Sequence, residues 1–202
     1  MNNLQQLYGD IDIYLFDQLL KGTYDHCNKV LDVGCGVGRN LVYLLQNGFE
    51  VHAVDPNPEA IEAVRQLSAV LAPCNPSNNF TVALAESLPY GTASFDLVIC
   101  SAVLHFARDN DHFDSMLRSI WRVLKPGGYL FARLASNIGI EGLILPTGNG
   151  RYFLPDGSER YLVNEQTLLK YTQELQGLLH EHIKTTNVQN LRCMTTWCVR
   201  KL

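Results

Sequence analysis

Gly34, Gly36 and Gly38 follow the apolar residues Val30, Leu31 and Val33 and the carboxylate Asp32, and a second carboxylate, Asp55, stands 19 positions beyond Gly36. Glycines at that density expose backbone N–H groups and let a ligand approach the main chain closely. A carboxylate beside them can accept two neighbouring hydroxyls at once. These residues therefore point to binding of a nucleoside-type ligand. The dinucleotide fingerprint needs a third glycine three residues after the second, which here is position 39. That position holds Arg39, and the third glycine comes one residue earlier, so a nicotinamide dinucleotide is disfavoured. Asp55 sits at the interval at which a doubly wound fold brings the end of its second strand beside the glycine loop. It is expected on the ribose hydroxyls, with Pro56 next to it. The plainer alternative is that Asp55 caps a helix over 58–71.

Two further groups have types that could move a proton. His105 follows the apolar strand 94–100 and is the one histidine expected at the carboxyl edge of the sheet. Tyr14 lies in a segment, 4–20, whose apolar residues keep close to helical spacing, with Gly9 as a blemish. An oxygen or nitrogen nucleophile would need a base, for which His105 and Tyr14 are the candidates; a soft thiolate would need none. The competing readings are a packing histidine and an amphipathic helix covering the sheet edge.

The elements that must hold these groups are legible as alternating strands and helices. Strands are expected at 30–33, after a loop over 22–29, and at 50–55, 80–84, 94–100 and 129–133, and helices from Asn40, over 58–71 and over 109–124, the last stopped by Lys125-Pro126-Gly127-Gly128. The region 136–163 carries Gly139, Gly142, Pro146, Gly148, Gly150, Pro155 and Gly157 and reads as an inserted β-hairpin at 151–163. It should project near the carboxyl edge as a lid, with Arg133, Arg151, Tyr152 or Arg160 facing a substrate; a solvated hairpin away from the site is the alternative. A helix over 164–179 and paired strands at 180–188 and 192–200 complete the chain.

Asp32 with the spacing of Gly34, Gly36 and Gly38 resembles motif I of the class I S-adenosylmethionine-dependent methyltransferases. The run Val-Leu-Lys-Pro-Gly-Gly-Tyr-Leu at 123–130 closely resembles a helix end and following strand of the same family. Ala85-Glu86-Ser87-Leu88-Pro89-Tyr90 resembles its adenine-contacting stretch, with Leu84 replacing the acid that precedes alanine there. Ser101–Phe106 resembles the segment that floors the methyl-transfer site. No Asn/Asp-Pro-Pro-aromatic tetrapeptide follows, which counts against the adenine and glutamine N-methyltransferases. The resemblance covers roughly residues 28–135. It implies an α/β fold, a doubly wound, Rossmann-like, mostly parallel seven-stranded sheet with a C-terminal antiparallel hairpin, in one domain over 1–202 with an N-terminal helical cap over 1–22. It implies S-adenosyl-L-methionine as cofactor, held by Asp32, Gly34, Cys35, Gly36, Gly38, Asp55, Pro56, Ala85, Glu86 and Ser101, with Asp32 organising the loop and the amino-acid end. Enzymes of small molecules and metalloids, including those of tellurite-resistance type, share this size and plan. A small-molecule acceptor methylated by in-line displacement is therefore expected. The rival is a cofactor-binding regulatory or scaffolding protein without turnover, which the Leu84 departure keeps open.

Composition agrees with a globular chain. Its 202 residues are 47% hydrophobic and 18% charged, with a net charge of −4 and no Lys/Arg run, so neither nucleic acid nor an anionic membrane surface is expected as a partner. The N-terminus has no positively charged, apolar leader pattern and no apolar run approaches a membrane span, so a cytoplasmic protein is expected. Six scattered cysteines form no CxxC pair. His180, His182, Cys193 and Cys198 lack metal-ligand spacing, and no metal is expected.

Overall fold

The computed structural model describes residues 3–202. Met1 and Asn2, part of the expected cap, lie outside the described residues. The strands β1 (Lys29–Val33), β2 (Glu50–Asp55), β3 (Phe80–Val82), β4 (Phe95–Ser101) and β5 (Leu124–Ser136) run parallel in one sheet. A separate three-stranded antiparallel sheet follows, built from β6 (Leu145–Gly148), β7 (Arg151–Phe153) and β8 (Glu159–Tyr161). The chain then returns to the main sheet with β9 (Gly177–Leu179), β10 (Lys184–Val188) and β11 (Arg192–Lys201). The spatial order is β10-β11-β5-β4-β1-β2-β3, with β9 also paired to β11. Strand order reverses between β1 and β4, and the crevice at their carboxyl ends is where a doubly wound sheet binds ligands.

Alternation along the strands divides the core between the two faces of the sheet. Val30, Leu97 and Ile99 face α3 (Val42–Gln46) and α4 (Pro58–Leu71), where Leu44, Ile61 and Val64 meet them. Leu31, Val98 and Cys100 face α5 (Asn110–Val123), which contributes Phe113, Leu117 and Ile120. Each such side chain, fully buried, contributes about 1.5–3 kcal/mol. Both faces of the sheet are thus covered, as parallel strands require.

The ends of the chain depart from expectation in instructive ways. The helix expected over 4–20 is two helices, α1 (Leu4–Tyr8) and α2 (Ile13–Leu20). Gly9 separates them because its backbone, at φ +61°, lies against Val42, where a Cβ would stand 2.8 Å from Cγ2. The Lys125–Gly128 segment lies inside the long β5 with a register shift against β4, and Gly128 passes so close to β4 that a Cβ would meet Asp96 O at 2.8 Å. The helix expected to reach 179 stops as α6 (Glu165–Glu174). Gly177, pressed on Val199 with room for no Cβ, instead starts β9. The strand expected over 180–188 is shortened to β10, and β9, formed by the last residues of the expected helix, joins it alongside β11. The hairpin expected over 151–163 exists as β7 and β8, and β6 adds a third strand. The bridge from Ser136 to Val163 fastens its two ends to the end of β5. Among the described residues no helix is long and apolar enough to cross a membrane.

Candidate ligand-binding and active site

The loop after β1 is held from below by β2. The N–H groups of Gly34 and Cys35 donate to Val54 O at 2.8 and 3.1 Å. Asp55 accepts from Gly36 N at 2.9 Å through Oδ2 and from Asn57 N at 2.9 Å through Oδ1. Asn57, rather than Asp55, caps α4. Each Asp55 oxygen retains a second lone pair, so the carboxylate can brace the loop and still accept hydroxyls. The three glycines have distinct reasons. A Cβ on Gly34 would strike Val103 Cγ2 at 2.3 Å, and one on Gly38 would crowd Leu67 and Val64 of α4 at 3.0 and 3.2 Å. A Cβ on Gly36, whose φ is +52°, would meet nothing within 4 Å. Gly36 therefore turns a bare backbone to open space beside a carboxylate.

Asp32 lies beneath this loop, 1% exposed, with Oδ2 lacking a hydrogen-bond partner. Burial pushes its carboxyl up to about 8, the Arg39 charge opposes that shift and Asp55 adds to it. Cys35 is buried as well, and burial pushes its thiol up, away from thiolate chemistry.

Two chambers open from the crevice and share Gly34 and Ala102. The smaller, of 380 Å³, is walled by Asp55, Pro56, Ala85, Glu86, Val103 and Met116. Leu84, where the resemblance expected an acid, also lines it, half-exposed. Glu86 faces His112, whose Nε2 lies 3.1 Å from Oε1, out of line for a hydrogen bond, while His112 Nδ1 accepts from Arg108 N at 3.1 Å. The larger chamber, of 540 Å³, runs from Gly36, Arg39, Ser101 and His105 outward. Ala102, at the junction, holds φ +65°, an unusual position for a residue with a side chain, and its N–H donates to Arg133 O at 2.7 Å. Backbone strain of this kind concentrates at functional sites.

The outer wall of the larger chamber comes from residues that the motifs did not single out as well as from some that they did. The β7–β8 turn supplies Leu154, Asp156 and Ser158, β8 supplies Arg160, and the C-terminal hairpin supplies Val188, Arg192 and Met194. Of the four expected substrate residues, Arg133 and Arg160 line the chamber and Arg151 and Tyr152 do not. Arg151 donates to Ala107 O at 2.6 Å and pairs with Glu159 at 3.3 Å, tying the small sheet to the loop after β4. Tyr152 packs against Ala135, Leu154 and Leu162.

Asp12, which the sequence shows only as one of several polar residues in the N-terminal segment, is the centre of a buried network beside the site. Its Oδ2 accepts from Arg133 Nη1 at 2.9 Å and Ser101 Oγ at 3.2 Å and lies 3.5 Å from Arg39 Nη2. Its Oδ1 accepts from Tyr14 N at 3.0 Å, capping α2, and its own N–H donates to Asn40 Oδ1 at 3.0 Å. An aspartate just before an apolar helix signals a cap, which was the sequence signal; its arginine partners arrive only through the fold. Tyr14 lies outside the lining of both chambers. Its hydroxyl hydrogen-bonds Thr186 Oγ1, and the Arg133 guanidinium lies 5.4 Å from its ring centroid.

His105 does reach the larger chamber, but its Nδ1 accepts from Ala135 N at 3.2 Å. In the neutral ring that assigns the proton to Nε2, so the histidine can donate and has no free lone pair. Burial first, then the charges of Arg160 and Arg192, lower its pKa to about 4.

Residues 31–132 match the family model for a methyltransferase domain. A 100-residue stretch is 40% identical to an uncharacterized methyltransferase of Synechocystis, covering 50% of this chain and 43% of that protein, so the chain matches less than half the length of that relative. A SAM-dependent methyltransferase structure from Methanosarcina mazei superposes with TM-score 0.72 at 21% identity, over 91% of this chain and 97% of that one. Magnesium protoporphyrin IX methyltransferase of Synechocystis, solved with bound SAH, gives TM-score 0.69 at 19% identity, over 100% of this chain and 89% of the other.

Proposed function

Since the chain belongs to the methyltransferase-domain family, we propose that it binds S-adenosyl-L-methionine and transfers the methyl group to a small-molecule acceptor. The observation that carries this reading is the open face of Gly36 beside the Asp55 carboxylate, at the switch point of the sheet, with a chamber on either side of Gly34 and Ala102. In this reading Asp55 accepts the ribose hydroxyls, and Pro56, Ala85 and Glu86 enclose the adenine. Gly34, Cys35, Gly36 and Gly38 provide the backbone cradle. Asp32, with its unpartnered oxygen, and Ser101 lie toward the amino-acid end. When bound, the cofactor supplies an electrophilic sulfonium methyl for in-line displacement. The lid and the Asp12 network align the acceptor and exclude water, which is the main task of the protein in such a transfer. His105 offers a donor and Tyr14 is engaged by Thr186, so neither is placed to take a proton. This favours an acceptor whose nucleophile is already ionised.

Calorimetry with S-adenosylmethionine and with NAD tests the cofactor: saturable heat is expected with the first alone. Replacing Asp55 by Ala should weaken that binding by ~1–3 kcal/mol; unchanged affinity refutes the ribose role. Tight binding without label transfer to any member of an acceptor panel would favour the regulatory protein over the enzyme.

A further inference from the structure

The larger chamber has a charge imbalance that cofactor binding does not relieve. Arg39, Arg133, Arg160 and Arg192 line it, and Asp156 is the one acid among its described lining residues. Arg39 and Arg133 share the buried Asp12 behind the wall. Arg192 stands 3.8 Å from Asp156, and Arg160 makes no ion pair among the described residues. The Arg160 guanidinium instead lies 5.0 Å from the Phe106 ring centroid, with Nη1 donating to Glu159 O at 2.8 Å. Four guanidiniums are thus opposed by two carboxylates. S-adenosylmethionine, with a sulfonium, an ammonium and one carboxylate, would add a further positive charge, so the inference rests on the cofactor reading above.

The two outer arginines converge from different elements, Arg160 from β8 and Arg192 from β11, on the wall that also holds His105. Their charges both bear on His105 and on Asp156, whose carboxyl is held below its usual range: burial opposes this, but the Ser158 hydrogen bonds and the two guanidiniums outweigh it. With Nδ1 of His105 occupied by Ala135, this wall presents hydrogen-bond donors from three side chains in a site partly closed to water. Charge-assisted donors in such a place select an oxyanion, and an isolated cationic chamber in a chain of net charge −4 concentrates anions locally.

We propose that Arg160 and Arg192, with His105 as a third donor, form an anion subsite, and that the methyl acceptor is a small organic molecule bearing a carboxylate or phosphate group that docks there. The anion neutralises the excess charge and orients the nucleophile toward the shared Gly34–Ala102 junction. Asp156 keeps Arg192 directed at the chamber until the acceptor arrives.

The test uses the protein saturated with S-adenosylhomocysteine and, in parallel, without it. Cinnamate, cinnamamide and cinnamylamine serve as probes of one carbon skeleton and different charge, with phenyl phosphate as an aryl phosphate, all read by calorimetry. Saturable binding of cinnamate or phenyl phosphate, and not of the amide or amine, is expected, and whichever anion binds more tightly separates carboxylate from phosphate. Arg160→Gln and Arg192→Gln should each weaken the anion roughly 10- to 100-fold, the equivalent of a lost charge-assisted hydrogen bond, and leave S-adenosylhomocysteine affinity unchanged. The Arg192 side chain is 56% exposed, so that variant keeps the fold intact. Amide binding equal to acid binding, no anion-selective response, or unchanged anion affinity in both variants overturns the subsite. Failure of S-adenosylhomocysteine to bind would instead overturn the cofactor reading, and the anion result is then taken from the unloaded protein.

Discussion

Asp32 and Asp55 stand at the ends of neighbouring strands, yet the fold gives them opposite tasks. Asp55 is half-buried and bonded to two backbone N–H groups, whereas Asp32 is enclosed with one oxygen unpartnered. With its pKa raised from 3.8 to about 8, Asp32 keeps a proton in the folded state that the unfolded chain has released. Between those values the folded state binds more protons, so stability falls as pH rises from about 4 to about 8 and levels off above. Asp32→Asn, which mimics the protonated acid, should remove that dependence. Each pKa unit is worth ~1.4 kcal/mol, which sets a ceiling of several kcal/mol. Denaturant unfolding of both proteins at pH 5 and pH 8 measures it; parallel losses would clear Asp32 as the source. Gly36 provides the matching test of the open face. An alanine there costs about 1–2 kcal/mol for its left-handed backbone and meets no neighbour. Gly36→Ala should therefore still fold, with a modest drop in melting temperature, while S-adenosylmethionine affinity falls by roughly tenfold or more. Calorimetry and thermal melts together check this; equal affinity would mean the ligand approaches elsewhere.

At the scale of elements, the site depends on how α2 is fastened. Asp12 caps that helix and receives Arg133 from a position 121 residues away. Losing the cap costs ~1 kcal/mol. Stranding a mostly buried guanidinium adds to that, by less than the 3–5 kcal/mol of a fully buried pair, because Arg39 remains half-exposed. Asp12→Ala should then lose ~2–4 kcal/mol in denaturant unfolding and gain protease sensitivity around Gly9, while Asp12→Asn, which keeps the cap, loses less. The same network shows what local pattern could and could not carry. The apolar runs of β1, β2 and β4 and the periodicity of α4 and α5 are properties of contiguous residues, so the doubly wound core and the glycine loop were readable. Gly9, Gly128 and Gly177 were visible as glycines, but their reason lies in side chains or backbone brought near by the fold, so the break in the N-terminal helix and the early end of α6 were not. Arg192 and Met194 looked like ordinary members of an alternating strand; only the placing of β11 beside β5 brings them to the chamber. Arg151 and Tyr152 had suitable chemistry and the right neighbourhood, but the hairpin turns them to Ala107 and to a small apolar cluster.

Across the whole molecule, the ligand crevice joins a very stable floor to loosely held covers. β4 and β5 carry Leu97, Ile99, Leu130 and Phe131 with no exposed surface, between apolar layers on both faces. By contrast, all four residues of β6 are exposed, α1 contains no buried residue, and the small sheet is packed through the limited cluster around Ala135, Leu154 and Leu162 and, from β8 alone, through Tyr161 stacked on Phe113. Local opening costs little where few apolar contacts are broken, and elements that admit ligands come from that class. Hydrogen exchange should resolve this division. Amides of β4 and β5 should exchange only through global unfolding, whereas those of β6, β7 and α1, which bury no residue, should exchange orders of magnitude faster under native conditions. Adding S-adenosylhomocysteine should slow exchange at Gly34–Gly38, and adding the anion that binds at Arg160 and Arg192 should then slow β7 and β8, because these ligands bind the closed arrangement and not the open one. Protection of β6–β8 as strong as that of β5 before any ligand is added would show that the small sheet is a fixed wall, and acceptor entry would then have to pass over Val188 and Arg192 on the other rim of the chamber.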